Sequence, residues 1–285
     1  MISTTDSAVV TRFAPSPTGR LHAGHAFSAI RAHDFARERG GAFLLRIEDI
    51  DPARSREEFV AGIEEDLRWL GLGWDGDVVR QSSRLDAYRG ALGALGAAGL
   101  LYPCFCTRAD IAQAASAPHG PEGPIYPGTC RALDPSARAD RMEREPHAWR
   151  IAMDRATAQT GSLHWHDADA GKVAADPERF GDVVLARKDA PASYHLAVTV
   201  DDAWQRVTDV VRGADLFEAT HIHRLLQALL GLPTPRYHHH PLLVDAGGER
   251  LAKRRGSESL ADLRARGADP KVLVEELRRG EMPAL

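Results

Sequence analysis

The sequence predicts an α/β protein whose centre is a doubly wound parallel sheet. From residue 9 to about residue 100, strand-like and helix-like patterns alternate. The apolar run at residues 42–47 is typical of a strand that a parallel sheet buries on both faces. Glycines follow each helical pattern, at residues 40–41, 71 and 99. Strands and helices in this order favour a Rossmann-like sheet with helices on both faces.

The elements of the first half follow from local pattern. A strand is predicted at residues 9–13, and a loop rich in proline leads from it to a helix over about residues 22–39. Apolar residues at helical spacing predict two more helices. They are Phe59, Ile63, Leu67 and Leu70 for the first, and Leu85, Tyr88, Leu92 and Leu95 for the second.

The rest of the chain is predicted as an insertion followed by a second half. Residues 102–180 are rich in proline and include a short extended piece at residues 148–152. Strands are expected at residues 182–187, 195–200 and 241–244, and a helix capped by Thr220 is expected to reach Leu230. The histidines at residues 238–240 are expected at the start of a strand and not around a metal, because alternate side chains of a strand point to opposite faces. Residues 257–279 predict two short helices, the second capped by Asp269 and Pro270.

Composition limits the classes of function. The chain has 285 residues and a formal net charge of −4, which argues against indiscriminate nucleic-acid binding but allows a specific RNA partner. No apolar run approaches the length of a membrane span, and the N-terminal residues lack the pattern of a signal peptide. We therefore expect a cytoplasmic monomer with no membrane partner.

Residues 12–25 carry the strongest signal: Arg-Phe-Ala-Pro-Ser-Pro-Thr-Gly-Arg-Leu-His-Ala-Gly-His. The prolines and the glycine predict a stiff loop that delivers the chain to a helix N-terminus, where unpaired N–H groups suit phosphate. His22 and His25 lie three residues apart and share one face of that helix. A triphosphate fits such a site, although an isolated His-x-x-His pair is more often solvated surface or a weak metal pair.

Two basic segments lie near the C-terminus. The first, Arg250-Leu251-Ala252-Lys253-Arg254, is predicted in a loop. By itself, such a pentapeptide is usually solvated surface. The second is either an RNA-binding patch or the solvated face of helices, and it contains Arg264, Arg266, Lys271, Arg278 and Arg279.

Three cysteines, Cys104, Cys106 and Cys130, are too few and too local for a disulfide framework. Thiolates at this spacing can bind one soft cation such as zinc, which takes four ligands in structural sites. Candidates for the fourth ligand are Tyr126, His119 and His147. Chemistry alone favours histidine, because a tyrosine must first lose a proton of pKa about 10. Reduced cysteines packed as small apolar residues are the alternative.

Two charged residues are predicted at strand ends. Glu48 follows the strand at residues 42–47, and Arg212 lies at a predicted strand end within residues 209–215. Doubly wound sheets bind ligands at the carboxyl ends of their strands. Either residue alone is more commonly half of a structural ion pair.

Together and in this order, the motifs resemble those of class I aminoacyl-tRNA synthetases. Residues 12–25 resemble the HIGH signature in the form of the glutamyl and glutaminyl branch, and the resemblance covers about residues 8–275. It implies that His22 and His25 stabilise the phosphates of ATP, supplied with Mg²⁺, as an adenylate forms. The segment around Lys253 resembles the KMSKS loop, which implies that Lys253 neutralises the departing pyrophosphate. Arg250 and Ala252 depart from that pattern.

The resemblance also implies an amino-acid pocket and a metal site. A glutamate pocket needs a fixed cation for the side chain and a carboxylate for the α-ammonium. The residues implied are Arg12, Ser16, Glu48, Tyr194 and Arg212, with the arginines as cations and Glu48 on the ammonium side. A shortened branch of the family holds one structural zinc with three cysteines and a tyrosine, which implies Tyr126 as the fourth ligand here.

These expectations define four segments and a function. They are a first catalytic half (8–101), a zinc-binding insertion (102–180), a second catalytic half (181–240), and the KMSKS-type loop with a short helical extension (241–285). Only residues 256–285 follow Arg255, so we expect no anticodon-binding domain. The shortened branch implies activation of L-glutamate with ATP and transfer to queuosine in the anticodon of tRNA(Asp). The alternatives are a truncated synthetase that charges a tRNA 3′ end, and a non-catalytic paralogue that binds nucleotide or RNA.

Overall fold

The computed structural model describes residues 8–113, 119–121, 123–243 and 258–281. Its first part alternates strands and helices as predicted. The elements are β1 (Val10–Phe13), α1 (Ala23–Arg37), β2 (Ala42–Ile47), α2 (Glu57–Trp69), β3 (Val79–Arg80) and α3 (Leu85–Ala97). Helix α1 ends beside Gly40, whose φ of 63° is a left-handed conformation that glycine adopts without strain.

The middle part contains short strands and helices. They are β4 (Leu101–Cys104), α4 (Arg108–Gln113), β5 (His119–Gly120), β6 (Gly123–Pro124), α5 (Pro135–Arg144), β7 (Ala148–Ile151), α6 (Met153–Thr160), β8 (His164–Asp167) and β9 (Gly171–Ala174).

The last part returns to longer elements. They are β10 (Val184–Ala186), α7 (Tyr194–Trp204), β11 (Asp209–Gly213), α8 (Ala219–Leu229), β12 (Arg236–His240), α9 (Leu260–Ala265) and α10 (Pro270–Arg278). Asp269 caps α10 and Pro270 opens it, as predicted.

Parallel pairing dominates the centre of the protein. One sheet has the order β1-β2-β3 and another the order β11-β12-β8-β9, and every pair except β8 with β9 is parallel. The two sheets approach each other where Thr208 N donates to Val10 O at 3.0 Å. Carboxyl ends of β1, β2 and β11 carry the charged residues of the candidate site.

The hydrophobic core joins distant parts of the chain. Ile30 of α1 and Phe43 of β2 belong to the same buried cluster as Leu260 of α9 and Leu277 of α10. The C-terminal helices therefore pack on the first half of the fold. Within the described residues, no helix is long and apolar enough to cross a membrane.

Residues 195–200 form part of helix α7, so the strand predicted there is wrong. Most of this run is buried, including Leu196, Ala197 and Val198. A helix that is buried on several sides lacks a polar stripe, and its apolar run then looks like that of a central strand.

The strand predicted at residues 182–187 is confirmed as β10, which pairs antiparallel with β7 in a sheet with β4. Two smaller predictions are corrected. Thr220 was predicted as the N-cap of a helix, but it lies inside α8, whose N-cap is Glu218. The Thr220 hydroxyl therefore does not cap the helix. The strand expected at residues 241–244 lies earlier in the chain, as β12, and the histidines at residues 238–240 form its end and not its start.

Candidate active site

His22 and His25 meet at the first turn of α1. His22 is the N-cap residue, and its Nδ1 accepts from Gly24 N at 3.1 Å. His25 Nδ1 accepts from His22 N at 3.2 Å, and the ring centroids lie 3.9 Å apart. With Nδ1 accepting, a neutral imidazole carries its proton on Nε2, where it is a donor of the kind that phosphate oxygens accept. Both rings thus stand at a helix N-terminus, which favours negative charge.

Gly24 allows this arrangement of the rings. A Cβ at Gly24 would lie 3.1 Å from His22 Cε1. A side chain there would require the His22 ring to shift by a few tenths of an ångström.

The chain returns to this helix start after residue 257. Ser259 pairs with His22 in an isolated antiparallel bridge, and Leu260 N donates to Leu21 O at 2.8 Å. Ser259 also caps α9 through a hydrogen bond from Asp262 N. Lys253 and the rest of the KMSKS-like segment lie outside the described residues, but the chain that follows them is fixed against the backbone of His22.

A buried cluster of charges lies at the carboxyl ends of β1 and β2. Arg12 binds Asp202 through Nε and Nη2, at 3.0 and 3.3 Å. Arg46, which is fully buried, donates to Asp202 Oδ1 at 2.8 Å and to Glu48 Oε1 at 3.4 Å. Two arginines and two carboxylates thus make a group that is neutral overall when both carboxylates are ionised.

The two carboxylates of this cluster differ in how well they are paired. Burial disfavours the charge of Asp202, but Arg12 and Arg46 outweigh it and lower the pKa of Asp202. For Glu48 burial wins over Arg46 and Arg12, and the pKa of Glu48 is raised. The charged form of Glu48 is therefore incompletely stabilised by its buried surroundings, and a bound ligand cation would favour it.

Glu48 also contacts the proline loop. Its backbone N–H donates to Pro15 O at 3.0 Å, so the end of β2 lies against residues 12–25. Ser16, on the same loop, is exposed. Its contact with an amino acid stays a prediction.

Arg212, on β11, is buried, and its guanidinium donates hydrogen bonds to uncharged groups. Its Nε donates to His239 Nε2 at 3.1 Å. Its Nη2 donates to Leu216 O at 3.0 Å and to Thr220 Oγ1 at 2.7 Å. Its Nη1 makes the longest contacts, 3.3 Å to Tyr194 Oη and 3.5 Å to His223 Nδ1.

The neighbours of Arg212 stay uncharged near neutral pH. Burial and the charge of Arg212 lower the pKa of His223 well below its usual range and that of His239 to about 4. Burial raises the pKa of Tyr194. No carboxylate of the described residues forms an ion pair with Arg212, although the residue is only 5% exposed. A buried cation without a counter-ion is costly unless a ligand supplies the anion.

Arg212 and the Arg12 cluster share one site. The charges of Glu48, Arg12 and Asp202 also affect the pKa of Tyr194, which Arg212 contacts. The structure thus brings together four of the five residues predicted for the amino-acid pocket. It adds Asp202 and Arg46, which the sequence motifs did not single out.

The three cysteines converge. The sulfur atoms of Cys104, Cys106 and Cys130 all lie within 4.8 Å of one another, and Cys106 Sγ is 3.5 Å from Cys130 Sγ. Thiolates around a tetrahedral zinc stand about 3.8 Å apart, so the donor set fits this metal. Tyr126 Oη lies 3.5 Å from Cys106 Sγ and accepts from Cys130 N at 2.8 Å. The position of Tyr126 therefore fits a fourth ligand.

Of the alternative fourth ligands, His147 does not belong to the cysteine group. Its Nδ1 lies 3.3 Å from Glu145 O, and among the described residues no histidine belongs to the cysteine group. The side chain of His119 lies outside the described residues. Burial raises the pKa of the Cys106 thiol to about 11.

The C-terminal basic residues are mostly held in ion pairs. Arg264 binds Asp66 and Glu65, and Arg278 binds Asp34. Arg266 pairs with Glu258, and Arg279 with Glu281. These contacts favour a structural role over an RNA-binding patch.

Comparisons with known proteins agree with this geometry. The family of class I tRNA synthetases (E and Q), catalytic domain, matches residues 8–284. A glutamyl-Q tRNA(Asp) synthetase of Rhodobacter capsulatus is 54% identical over 271 residues, which are 92% of this chain and 97% of that protein. One of Symbiobacterium thermophilum is 47% identical over 278 residues, 93% of this chain and 84% of that protein.

Full-length ligases match over part of their length. The glutamate–tRNA ligase of Aquifex aeolicus is 38% identical over 273 residues, 95% of this chain and 57% of that protein. A crystal structure of a glutamate tRNA ligase from Elizabethkingia meningosepticum in complex with its amino acid superimposes with a TM-score of 0.80 at 26% identity. It covers 95% of this chain, and this chain spans 60% of the length of that one.

Proposed function

This chain belongs to the class I tRNA synthetases of the glutamyl and glutaminyl type, and on that basis we propose that it activates L-glutamate with ATP and transfers the glutamyl group to queuosine in the anticodon of tRNA(Asp). The relatives with the highest identities quoted above carry the name glutamyl-Q tRNA(Asp) synthetase, which supports this acceptor.

The observation that carries the choice of amino acid is the unpaired charge of Arg212. With both carboxylates ionised, the charges of Arg12, Arg46, Asp202 and Glu48 balance one another, whereas no carboxylate of the described residues pairs directly with Arg212. The side-chain carboxylate of glutamate would supply the anion that Arg212 lacks. Glutamine has no such carboxylate and would leave Arg212 buried without an anion.

Within this pocket each end of glutamate has a partner. The side-chain carboxylate would bind Arg212 Nη1 beside Tyr194 Oη, where the existing hydrogen bonds are longest. The α-ammonium would bind near Glu48, because burial raises the pKa of Glu48 and a bound cation would stabilise its carboxylate. Asp202 holds Arg12 and Arg46 in place during binding.

The α-carboxylate of glutamate then attacks the α-phosphorus of ATP, and the bond to pyrophosphate breaks. His22 and His25 would donate to the phosphate oxygens from the start of α1, and Lys253 would neutralise the leaving pyrophosphate. Mg²⁺ enters with ATP as part of the substrate. The fixed contact between Ser259 and His22 supports delivery of the Lys253 segment to this place. Catalysis is mainly positioning and electrostatic stabilisation.

In the second step a hydroxyl of queuosine attacks the glutamyl carbonyl, an ester forms and AMP leaves. The protein forms no covalent bond to the substrate in this scheme. A structural zinc held by Cys104, Cys106, Cys130 and Tyr126 would fix the middle part of the chain.

The first step is tested by pyrophosphate exchange into ATP in the absence of tRNA. We expect exchange with glutamate and none with glutamine or aspartate. No exchange, or exchange with another amino acid only, would exclude the proposed activity.

A further inference from the structure

A buried chain of hydrogen bonds reaches Arg212 from outside the pocket. Asp167 Oδ2 lies 2.8 Å from His239 Nδ1, and His239 Nε2 lies 3.1 Å from Arg212 Nε. Asp167 is 1% exposed and His239 is 7% exposed. Asp167 ends β8 and His239 lies on β12, which pairs in parallel with β8.

The chemistry at both ends of the chain fixes the tautomer of His239. A guanidinium only donates, so His239 Nε2 must accept the Arg212 Nε–H. A neutral ring that accepts at Nε2 carries its proton on Nδ1, where it donates to the Asp167 carboxylate. Asp167 Oδ1 meanwhile accepts from Asp169 N and Ala170 N, each at 3.0 Å, so the carboxylate cannot turn freely.

We propose that Asp167 and His239 are positioning residues, which orient Arg212 so that Nη1 is presented to the side-chain carboxylate of the amino acid. The inference rests on the proposed function, because it takes that carboxylate to be glutamate's. Nε and Nη2 are held by bonds of 2.7 to 3.1 Å, and this leaves Nη1, with its longer contacts, as the nitrogen that gains most from a ligand.

The intervening imidazole also explains why Arg212 keeps its charge for the ligand. A carboxylate in direct contact would neutralise Arg212 and compete with the substrate. Asp167 instead acts through a neutral ring, which orients the guanidinium without pairing with it. Asp167 belongs to residues 102–180, so this segment contributes to the amino-acid pocket.

The isosteric variant D167N tests the chain of bonds. Its amide presents an N–H to His239 Nδ1, which favours the tautomer protonated on Nε2. That proton faces the Arg212 Nε–H, so the hydrogen bond is lost. In pyrophosphate exchange we expect the KM for glutamate to rise about tenfold to a hundredfold, and the KM for ATP to change less than about twofold.

Variants of His239 separate positioning from folding. H239Q keeps an acceptor for Arg212 and a donor for Asp167, so it should recover most of the glutamate affinity, whereas H239L should resemble D167N. H238Q is the matched control, because His238 points to the other face of β12 and contacts Asp209. It should leave both KM values unchanged.

Nitrogen-15 NMR of the substrate-free protein gives a readout that needs no activity. We expect the wild type to show His239 protonated on Nδ1 and an Arg212 Nε–H signal protected from exchange, and D167N to lose both. An unchanged tautomer in D167N, or an equal rise of both KM values, would overturn the proposal. If the wild type shows these NMR signals but no exchange with glutamate, the proposed function fails and the positioning of Arg212 stands.

Discussion

Arg12 and Asp202 form a buried ion pair with two hydrogen bonds, although 190 positions separate them in the sequence. Arg46 shares the same carboxylate. The charge of Arg12 is therefore already balanced by the protein, whereas that of Arg212 is not. This contrast supports our proposal that Arg212 is the main residue that recognises the side chain of the amino acid.

Replacing Arg212 tests this assignment. In R212Q the pocket loses the guanidinium that has no directly paired carboxylate, and we expect kcat/KM for glutamate in pyrophosphate exchange to fall about a hundredfold. The KM for ATP should hardly change, and the preference for glutamate over glutamine should shrink. R89Q is the control, because Arg89 lies on the surface with a side chain 60% exposed. A similar loss in R89Q, or full activity in R212Q, would refute the assignment.

Asp202 should matter for both folding and binding. D202N leaves Arg12 and Arg46 buried with one carboxylate fewer, and we expect the free energy of unfolding to fall by about 3–5 kcal/mol. D86N provides the comparison, since the Asp86 side chain is 94% exposed and its loss should cost less than about 1 kcal/mol. Urea unfolding followed by circular dichroism measures both. Equal stabilities of the two variants would contradict the buried network.

The depressed pKa of His239 predicts a pH-dependent stability. Burial and Arg212 lower it to about 4. Between pH 6.5 and about 4 the unfolded chain binds a proton at this ring that the folded protein does not, so acid favours unfolding. Wild type should exceed H239Q in stability by a margin that is constant above pH 6.5 and shrinks by about 3 kcal/mol on going to pH 4. Urea unfolding of both proteins across this range measures the margin, and a margin independent of pH would count against a neutral buried His239.

The metal site predicts one zinc per chain. C106S should lose the metal, and Y126F should bind it at least about tenfold more weakly, because we propose Tyr126 Oη as the fourth donor. H147Q should bind it normally, since His147 lies outside the cysteine group. Competition with a coloured chelator and elemental analysis give these affinities. Weak binding in H147Q with normal binding in Y126F would reverse the choice of ligand.

Local pattern predicted much of the fold. Residues 42–47 are a parallel strand as expected, and Asp269 with Pro270 opens a helix. Such features depend on neighbouring residues. Helix α7 escaped prediction because its burial on several sides comes from tertiary packing, which a single apolar run does not reveal.

The residues of the site also divide into those that local sequence predicts and those that only the fold brings together. Glu48 and Arg212 were predicted from the resemblance to class I synthetases together with their places at strand ends. Asp202, Asp167 and His239 were not, because their partners lie 190, 72 and 27 positions away. A carboxylate that orients an arginine has no local signature, so only the fold shows its role.

The central claim concerns the acceptor, and the position of the glutamyl ester on RNA tests it most directly. The protein is incubated with ATP, labelled glutamate and tRNA(Asp) that contains queuosine, and the product is digested to nucleosides. We expect the label on the queuosine nucleoside and none with tRNA(Asp) lacking queuosine. Label on the 3′-terminal adenosine would contradict the account and make the protein a truncated synthetase that charges tRNA.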